Sequence, residues 1–72
     1  MSKRKREYHI RVWLHHRKIG DRFTASDISS AIGVATPRFV ARFLLWQPEV
    51  KKLGHAYKTN SFEWQKIAEV PV

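Results

Sequence analysis

Apolar residues recur at helical spacing in the first third of the chain. One stripe, with steps of three and four residues, is formed by Ile10, Trp13, Leu14 and Arg17. This spacing predicts a first helix from about Glu7 to Lys18, because positions three and four apart share one helix face. Gly20 can end the helix, and a cation such as Lys18 suits the negative end of its dipole.

A second helix is predicted from Ala25 to about Ile32. Thr24 and Asp27 have the form of a capping box, and the preceding Phe23 can serve as its hydrophobic staple. Gly33 can take the left-handed position that ends the helix. The predicted inner stripe consists of Ile28, Ala31 and Ile32.

A third helix is predicted from Pro37 to about Trp46. Thr36 is a preferred N-cap residue, and proline suits the first helical position. Pro48 ends the helix, because the residue before a proline is biased away from helical conformation. The predicted inner face contains Phe39, Val40, Phe43 and Leu44, with Trp46 as a further candidate. The predicted outer face contains Arg38, Ala41, Arg42 and Leu45.

From Glu49 onward the apolar period changes to that of strands. Val50 to Tyr57 reads partly as a strand, and Phe62–Gln65 alternates apolar and polar residues. The polar cluster 58–61 predicts a hairpin with its tip there. A rival register places the turn at Gly54-His55. We favour the longer hairpin because it pairs Tyr57 with Phe62.

Length and composition exclude several classes of protein. The chain has 72 residues, 43% of them hydrophobic, and no cysteine. Disulfides and thiolate metal sites are therefore excluded, and the apolar content is typical of a folded chain. No apolar run approaches the roughly 20 residues of a membrane span, and no signal-peptide core follows the basic N-terminus. We expect one domain over residues 7–72 and a cytoplasmic protein, nucleoid-associated if bacterial.

The net charge of +8 is concentrated at the N-terminus. Residues 1–22 carry eight basic and two acidic side chains. Such an excess favours a polyanionic partner, and nucleic acid is favoured over a membrane because the basic run has no apolar helical face. Residues 1–6 are predicted to form a flexible basic arm, either a solubility tail or a segment that contacts phosphates or a minor groove. Its cations are Lys3, Arg4, Lys5 and Arg6.

The sequence offers no catalytic or cofactor motif. His9, His15 and His16 lie on the first helix without a cysteine or carboxylate partner, which makes a poor metal site. The six acidic residues show no metal-ligand pairing, and neither a nucleophile motif nor a glycine-rich phosphate loop is present. We expect neither an enzyme nor a cofactor or metal.

The segment from Thr24 to Leu44, TASDISSAIGVATPRFVARFL, resembles a helix-turn-helix. With the following hairpin, about residues 8–67 resemble the winged helix-turn-helix family of DNA-binding domains, of bacterial or bacteriophage type. The resemblance implies an α+β fold of three helices and a C-terminal β-hairpin wing. It also implies that the third helix, about 37–46, enters the major groove while the wing, about 58–61, lies on the backbone or minor groove.

The resemblance transfers DNA contacts to individual positions of this chain. They are Ala35, Thr36 and Arg38 at the N-terminal end of the third helix, Arg42 one turn further along it, Lys58 and Asn60 at the wing tip, and Lys51 and Lys52 beside it. Arg38 would bind guanine with two hydrogen bonds or pair with a phosphate. Thr36 would bind a phosphate or only cap its helix.

Two functions remain open from the sequence. The first is a small duplex-DNA-binding regulator of transcription or of a mobile element, for which a homodimer is one allowed arrangement. The second is a winged-helix module that binds a protein within a nucleic-acid-processing complex. It is favoured by aromatics that exceed the needs of a small core, namely Trp13, Trp46, Tyr57 and Trp64.

Overall fold

The computed structural model describes residues 2–55 and 62–72, apart from the side chain of His55. Its elements are α1 (Lys3–His15), β1 (Arg22–Thr24), α2 (Ala25–Ile32), α3 (Pro37–Leu44), β2 (Val50–His55) and β3 (Phe62–Lys66). The strands form an antiparallel sheet in the order β1-β3-β2. The α+β fold with three helices and a C-terminal hairpin is therefore confirmed.

The first helix begins four residues earlier than predicted. Ser2 caps α1, since its Oγ accepts a hydrogen bond from the Lys5 N–H at 3.3 Å. Residues 3–6, predicted as a flexible arm, form the first turn of this helix. The predicted start at Glu7 is wrong because the serine cap and the high helix propensity of lysine and arginine outweigh their mutual repulsion.

The C-terminal end of α1 also differs from the prediction. The helix ends at His15 rather than near Lys18, whose N–H donates instead to the Asp21 carboxylate at 3.1 Å. Gly20 has a φ of 101° and lies in the turn that leads into β1. A local turn closed by Asp21 has thus replaced the last predicted helical turn.

The capped starts of α2 and α3 are confirmed. Thr24 Oγ1 accepts from the Asp27 N–H at 3.2 Å, and the Asp27 carboxylate accepts from the Thr24 N–H at 2.9 Å. Gly33 ends α2 with a φ of 69°. The Phe39 N–H donates to Thr36 Oγ1 at 3.2 Å, which sets the start of α3.

Each element contributes one or a few side chains to the core. The buried apolar residues are Ile10, Leu14, Phe23, Ala25, Ile28, Val40, Leu44, Val50, Trp64 and Val70. Several predicted inner positions differ from this set: Ala31 and Trp46 are exposed, and Phe39 and Phe43 are only half-buried against the core. A helix of eight residues has one or two fully covered positions per turn, so the predicted faces were too broad.

The prediction of the longer hairpin is confirmed, but its predicted pairing of Tyr57 with Phe62 is wrong, because Phe62 pairs with His55. His55 pairs with Phe62 and Lys52 pairs with Trp64, with a bulge between Lys52 and Gly54. The rival turn at Gly54-His55 is wrong, because Gly54 lies inside β2 with a φ of 124°. Residues 56–61, including the predicted tip, lie outside the described part of the chain.

Polar side chains tie the end of α1 to the sheet. Lys66 is fully buried, and its Nζ donates to the carbonyl oxygens of Arg17 at 2.5 Å and His15 at 3.4 Å. These bonds supply partners for carbonyls at and beyond the helix end. His15 Nδ1 lies 2.8 Å from the Val70 carbonyl oxygen, which places the C-terminal segment against α1.

Arg11 is the second tie between α1 and the rest of the fold. Its guanidinium donates to Gln47 Oε1 at 2.6 Å and to the Pro71 carbonyl at 3.1 Å, and it lies 3.5 Å from the Glu49 carboxylate. One side chain thus connects α1, the segment that follows α3, and the C-terminus. The middle of α1 is therefore held on the segment that follows α3.

We expect the Ile28→Ala variant to lose about 2–5 kcal/mol of unfolding free energy, because Ile28 is fully buried and its truncation leaves a cavity. Ile19→Ala is the matched control, since Ile19 is 55% exposed. Its effect should stay within about 0.5 kcal/mol. Urea denaturation followed by circular dichroism measures both. Equal losses in the two variants would contradict the assigned core.

Candidate nucleic-acid interface

The outer face of α3 carries cations and exposed apolar side chains. Val40 and Leu44 point into the core, and the opposite side of the helix presents Arg38 and Arg42 to solvent. Trp46, four residues after Arg42, is 84% exposed in the turn that follows the helix. We call Arg38, Arg42 and Trp46 the outer face of α3.

A groove of about 710 Å³ separates this face from the first turn of α1. We call it the α1–α3 groove. Its cationic lining residues are Lys3, Arg38 and Arg42, and its aromatic ones are Phe39, Phe43 and Trp46. Glu7, Thr36 and Gln47 complete the lining. The surface combines positive charge, flat apolar rings and one carboxylate.

Packing of α1 on α3 shapes the groove. The Arg6 guanidinium lies over the Phe39 ring, 5.6 Å from its centroid, so the first turn of α1 rests on α3. Farther along, the Arg11–Gln47 hydrogen bond joins α1 to the segment that follows α3. Lys3 and Glu7 are one helical turn apart and both line the groove.

The four predicted N-terminal cations are divided among three environments. Lys3 is exposed at the edge of the groove, and Arg4 and Lys5 are exposed in the same helical turn. Arg6 is half-buried on Phe39. Folding of this segment into α1 therefore places one predicted cation beside α3 and turns another into a packing residue.

The predicted α3 residues are brought together, with different roles. Arg38 and Arg42 are exposed and line one groove. Thr36 also lines it, and its hydroxyl oxygen is engaged by the helix cap. Ala35 is half-buried, and its carbonyl oxygen accepts from Ser29 Oγ at 2.6 Å. Ala35 thus has a packing role beside its predicted contact role.

The wing residues are described only in part. Lys58 and Asn60 lie outside the described residues. Lys51 and Lys52 are exposed on β2, and Lys52 Nζ lies 3.6 Å from the centroid of the Phe62 ring. Lys52 is therefore engaged with an aromatic ring of its own sheet, whereas Lys51 stands in solvent.

The groove cations carry no compensating ion pair within residues 2–55 and 62–72. The ion pairs found there are Arg11–Glu49 and Arg22–Glu63, and none of their members lines the groove. Lys3, Arg38 and Arg42 therefore keep their charge available for an external anion. A concave cationic surface of this kind raises the local concentration of polyanions.

Sequence reasoning missed Glu7 and the joining of the first turn of α1 to α3. A signal existed: Ser2 precedes a run of good helix formers and is a preferred N-cap residue. Starting the helix there places Lys3, Glu7 and Ile10 on one side of it. Like-charge repulsion in the basic run opposes a helix start at Lys3, but the serine cap and the helix propensity of lysine and arginine outweigh it.

Residues 2–55 and 62–72 contain neither a cluster of metal-binding side chains nor a membrane-spanning helix. No three His, Asp or Glu side chains in that part of the chain stand close enough together to hold a metal ion. None of its helices is long and apolar enough to cross a membrane.

A solved structure of another protein shares this fold. No protein-family model matches the chain, and no curated protein matches it either. Among solved structures, LP1413, described as a nucleic-acid-binding protein of SCCmec type IV, superposes with a TM-score of 0.65. The two are 21% identical, and the match covers 97% of this chain and 92% of that one. At this identity the likeness shows the fold, over nearly the full length of both chains.

Proposed function

We propose that this protein binds duplex DNA through the outer face of α3 and acts as a small regulator of transcription or of a mobile element. The observation that carries the proposal is the pair Arg38 and Arg42, exposed opposite the core and without an ion-pair partner among the described residues. A nucleic-acid-binding protein with the same fold supports it. The proposed role is binding rather than catalysis.

In this proposal, α3 enters the major groove. Thr36 and Pro37 set the N-terminus of α3, and Arg38 lies within its first turn, where helices of this docking type meet base edges. Arg42 is one turn farther along the same face. Lysine and arginine contacts to phosphate supply affinity, while contacts to base edges supply sequence preference.

Cations beside α3 would bind the flanking backbone. Arg4 and Lys5 are exposed on the first turn of α1, the same turn from which Lys3 lines the α1–α3 groove. At the other side, the β2–β3 hairpin leads toward Lys58 and Asn60, which we assign to backbone contacts at the wing. Occupying a site on DNA then regulates transcription or recombination at that site, in the cytoplasm of a bacterial or phage-infected cell.

The direct test is selection of bound duplexes from a random pool at two salt concentrations. An enriched sequence at both concentrations supports reading by α3. Recovery of bound duplexes that share no common sequence would indicate binding to phosphates alone. No recovered duplex at low salt would refute the proposal, and a pool of single strands run in parallel shows whether duplex is the preferred form.

We expect binding to duplex DNA to weaken steeply with salt. If about five phosphates are neutralised, the slope of log affinity against log salt is roughly −4 to −5, because bound cations are released into solution. Lys5→Gln should make this slope shallower by about one. Lys18→Gln also removes one exposed positive charge, but beyond the C-terminal end of α1, and should therefore change the salt slope less. Titrations by fluorescence anisotropy at four salt concentrations measure the slopes, and equal changes would contradict the docking geometry.

We expect Arg38→Ala to lose about 1–3 kcal/mol on the selected duplex and to relax preference at one position, since a bidentate guanine contact is removed. Arg4→Ala is the control, because Arg4 is proposed to touch only phosphate. It should weaken selected and scrambled duplexes alike. If Arg38→Ala also weakens both duplexes alike, α3 contributes charge without reading bases.

A second candidate function is favoured by Trp46. A side chain of this size at 84% exposure, next to Leu45 at 59%, is typical of a surface that meets a protein. The face would then belong to a winged-helix module that binds a partner within a nucleic-acid-processing complex. The polar and apolar parts of the face would serve different ligands.

Trp46→Ala separates the two candidates. If the apolar part of the face serves a protein, the variant should bind the selected duplex within about twofold of the parent, because its cations are intact. The same anisotropy titration measures this. A loss of affinity as large as that of Arg38→Ala assigns Trp46 to the nucleic-acid contact and removes the main support for a protein partner.

A further inference from the structure

We propose that the α1–α3 groove is a base-reading subsite in which the Glu7 carboxylate accepts a hydrogen bond from the exocyclic amine of a cytosine. This inference rests on the proposed duplex-DNA binding and names what one part of that surface reads. Glu7 is the acidic residue in the groove, and the sequence did not single it out.

The Glu7 carboxylate is available for a ligand. Glu7 is half-buried in the groove wall formed by α1. Three cations line the same groove, Lys3, Arg38 and Arg42, yet within the described residues none of them lies within 4.0 Å of the carboxylate as an ion pair. A carboxylate without a cation partner seeks hydrogen-bond donors.

The Glu7 carboxylate disfavours a phosphate directly beside it, whereas Lys3, Arg38 and Arg42 in the same groove attract phosphates. A phosphate beside Glu7 would meet a like charge, which costs free energy at any dielectric constant. The neighbouring Phe39 and Phe43 are aromatic and offer no hydrogen-bond donors from their side chains. A flat group with an outward N–H therefore suits the Glu7 carboxylate better than an anion does.

Among base edges in the major groove, cytosine fits the carboxylate best. Cytosine presents the N4 amine as a donor, whereas adenine sets its N6 amine beside the N7 acceptor, which a carboxylate repels. Guanine presents only acceptors, O6 and N7, and these suit an arginine. Glu7 and Arg38 in one groove therefore match C·G base pairs, with the carboxylate on cytosine and the guanidinium on guanine.

The test compares three full-length proteins in the duplex selection: the parent, Glu7→Gln and Glu69→Gln. Glu69 is exposed and does not line the groove, so its variant carries the same change in net charge. We expect the parent and Glu69→Gln to select cytosine at one position near the guanine read by Arg38. Glu7→Gln should shift that position toward adenine, since a glutamine amide pairs with adenine N6 and N7.

The affinities should follow the same pattern. Replacing the selected C·G pair with T·A should weaken the parent and Glu69→Gln by about 5- to 150-fold, the range for one lost base contact. For Glu7→Gln the two duplexes should bind within about threefold of each other. Far-ultraviolet circular dichroism checks that the variants are folded.

A change in the DNA alone makes the test independent of variant folding. N4-methylcytosine at the selected position replaces the outward amine hydrogen with a methyl group and keeps the base pair. The parent protein should bind this duplex about tenfold more weakly than the unmodified one. Methylation of a cytosine elsewhere in the duplex is the control and should leave the affinity unchanged.

The outcomes separate this inference from the proposed function. Retention of cytosine by Glu7→Gln, or unchanged affinity of the parent for the methylated duplex, overturns the role of Glu7 while duplex binding stands. Salt-dependent binding by the parent without any selected sequence also overturns it and leaves phosphate binding. Failure of the parent to bind any duplex overturns both.

Discussion

Burial of the single apolar stripe of α1 is the constraint on which the rest of the structure depends. Ile10 and Leu14 are fully buried, and a helix with one such stripe can settle on the other elements in one rotation about its axis. That rotation carries the first turn of α1 to α3, where Arg6 lies on Phe39. The groove, its cations and its carboxylate all follow from it.

A chain of this size has a small hydrophobic core, and side-chain hydrogen bonds help to fix the orientation of α1 in it. Small domains bury a modest fraction of their surface, and this one has no disulfide. Lys66 supplies donors at the end of α1, and Arg11 joins that helix to the segment after α3 and to the C-terminus. These hydrogen bonds fix α1, which carries Lys3 and Glu7, on the rest of the domain.

The surface proposed to bind DNA combines cations with aromatic rings, and these two kinds of side chain favour different ligands. The cations attract any phosphate, and this attraction weakens as the salt concentration rises. The rings of Phe39, Phe43 and Trp46 instead favour contact with flat or apolar groups. A carboxylate between them weakens simple charge attraction. In the proposal, this combination favours recognition of particular groups at short range over attachment to any polyanion, and Glu7 supplies the hydrogen-bond acceptor.

Local signals in the sequence determined the elements whose ends are capped. The Thr24–Asp27 box, Gly33 and Thr36-Pro37 set the starts of α2 and α3 and the end of α2, because capping bonds form within three or four residues. Period-two alternation predicted the strands of the hairpin but not their register, since Phe62 pairs with His55 rather than with Tyr57. The net charge of +8 also pointed to a polyanionic partner before any fold was known.

Only the tertiary structure decided what depends on contacts between distant segments. Burial of Lys66 requires the carbonyl oxygens of His15 and Arg17, which lie 51 and 49 residues away in sequence, and no local pattern signals it. Exposure of Ala31 and partial burial of Phe39 depend on how closely the helices approach. The placement of Glu7 and Arg38 on one groove likewise arises from helix packing, because residues on separate helices share a surface only when both helices bury their apolar sides in one core.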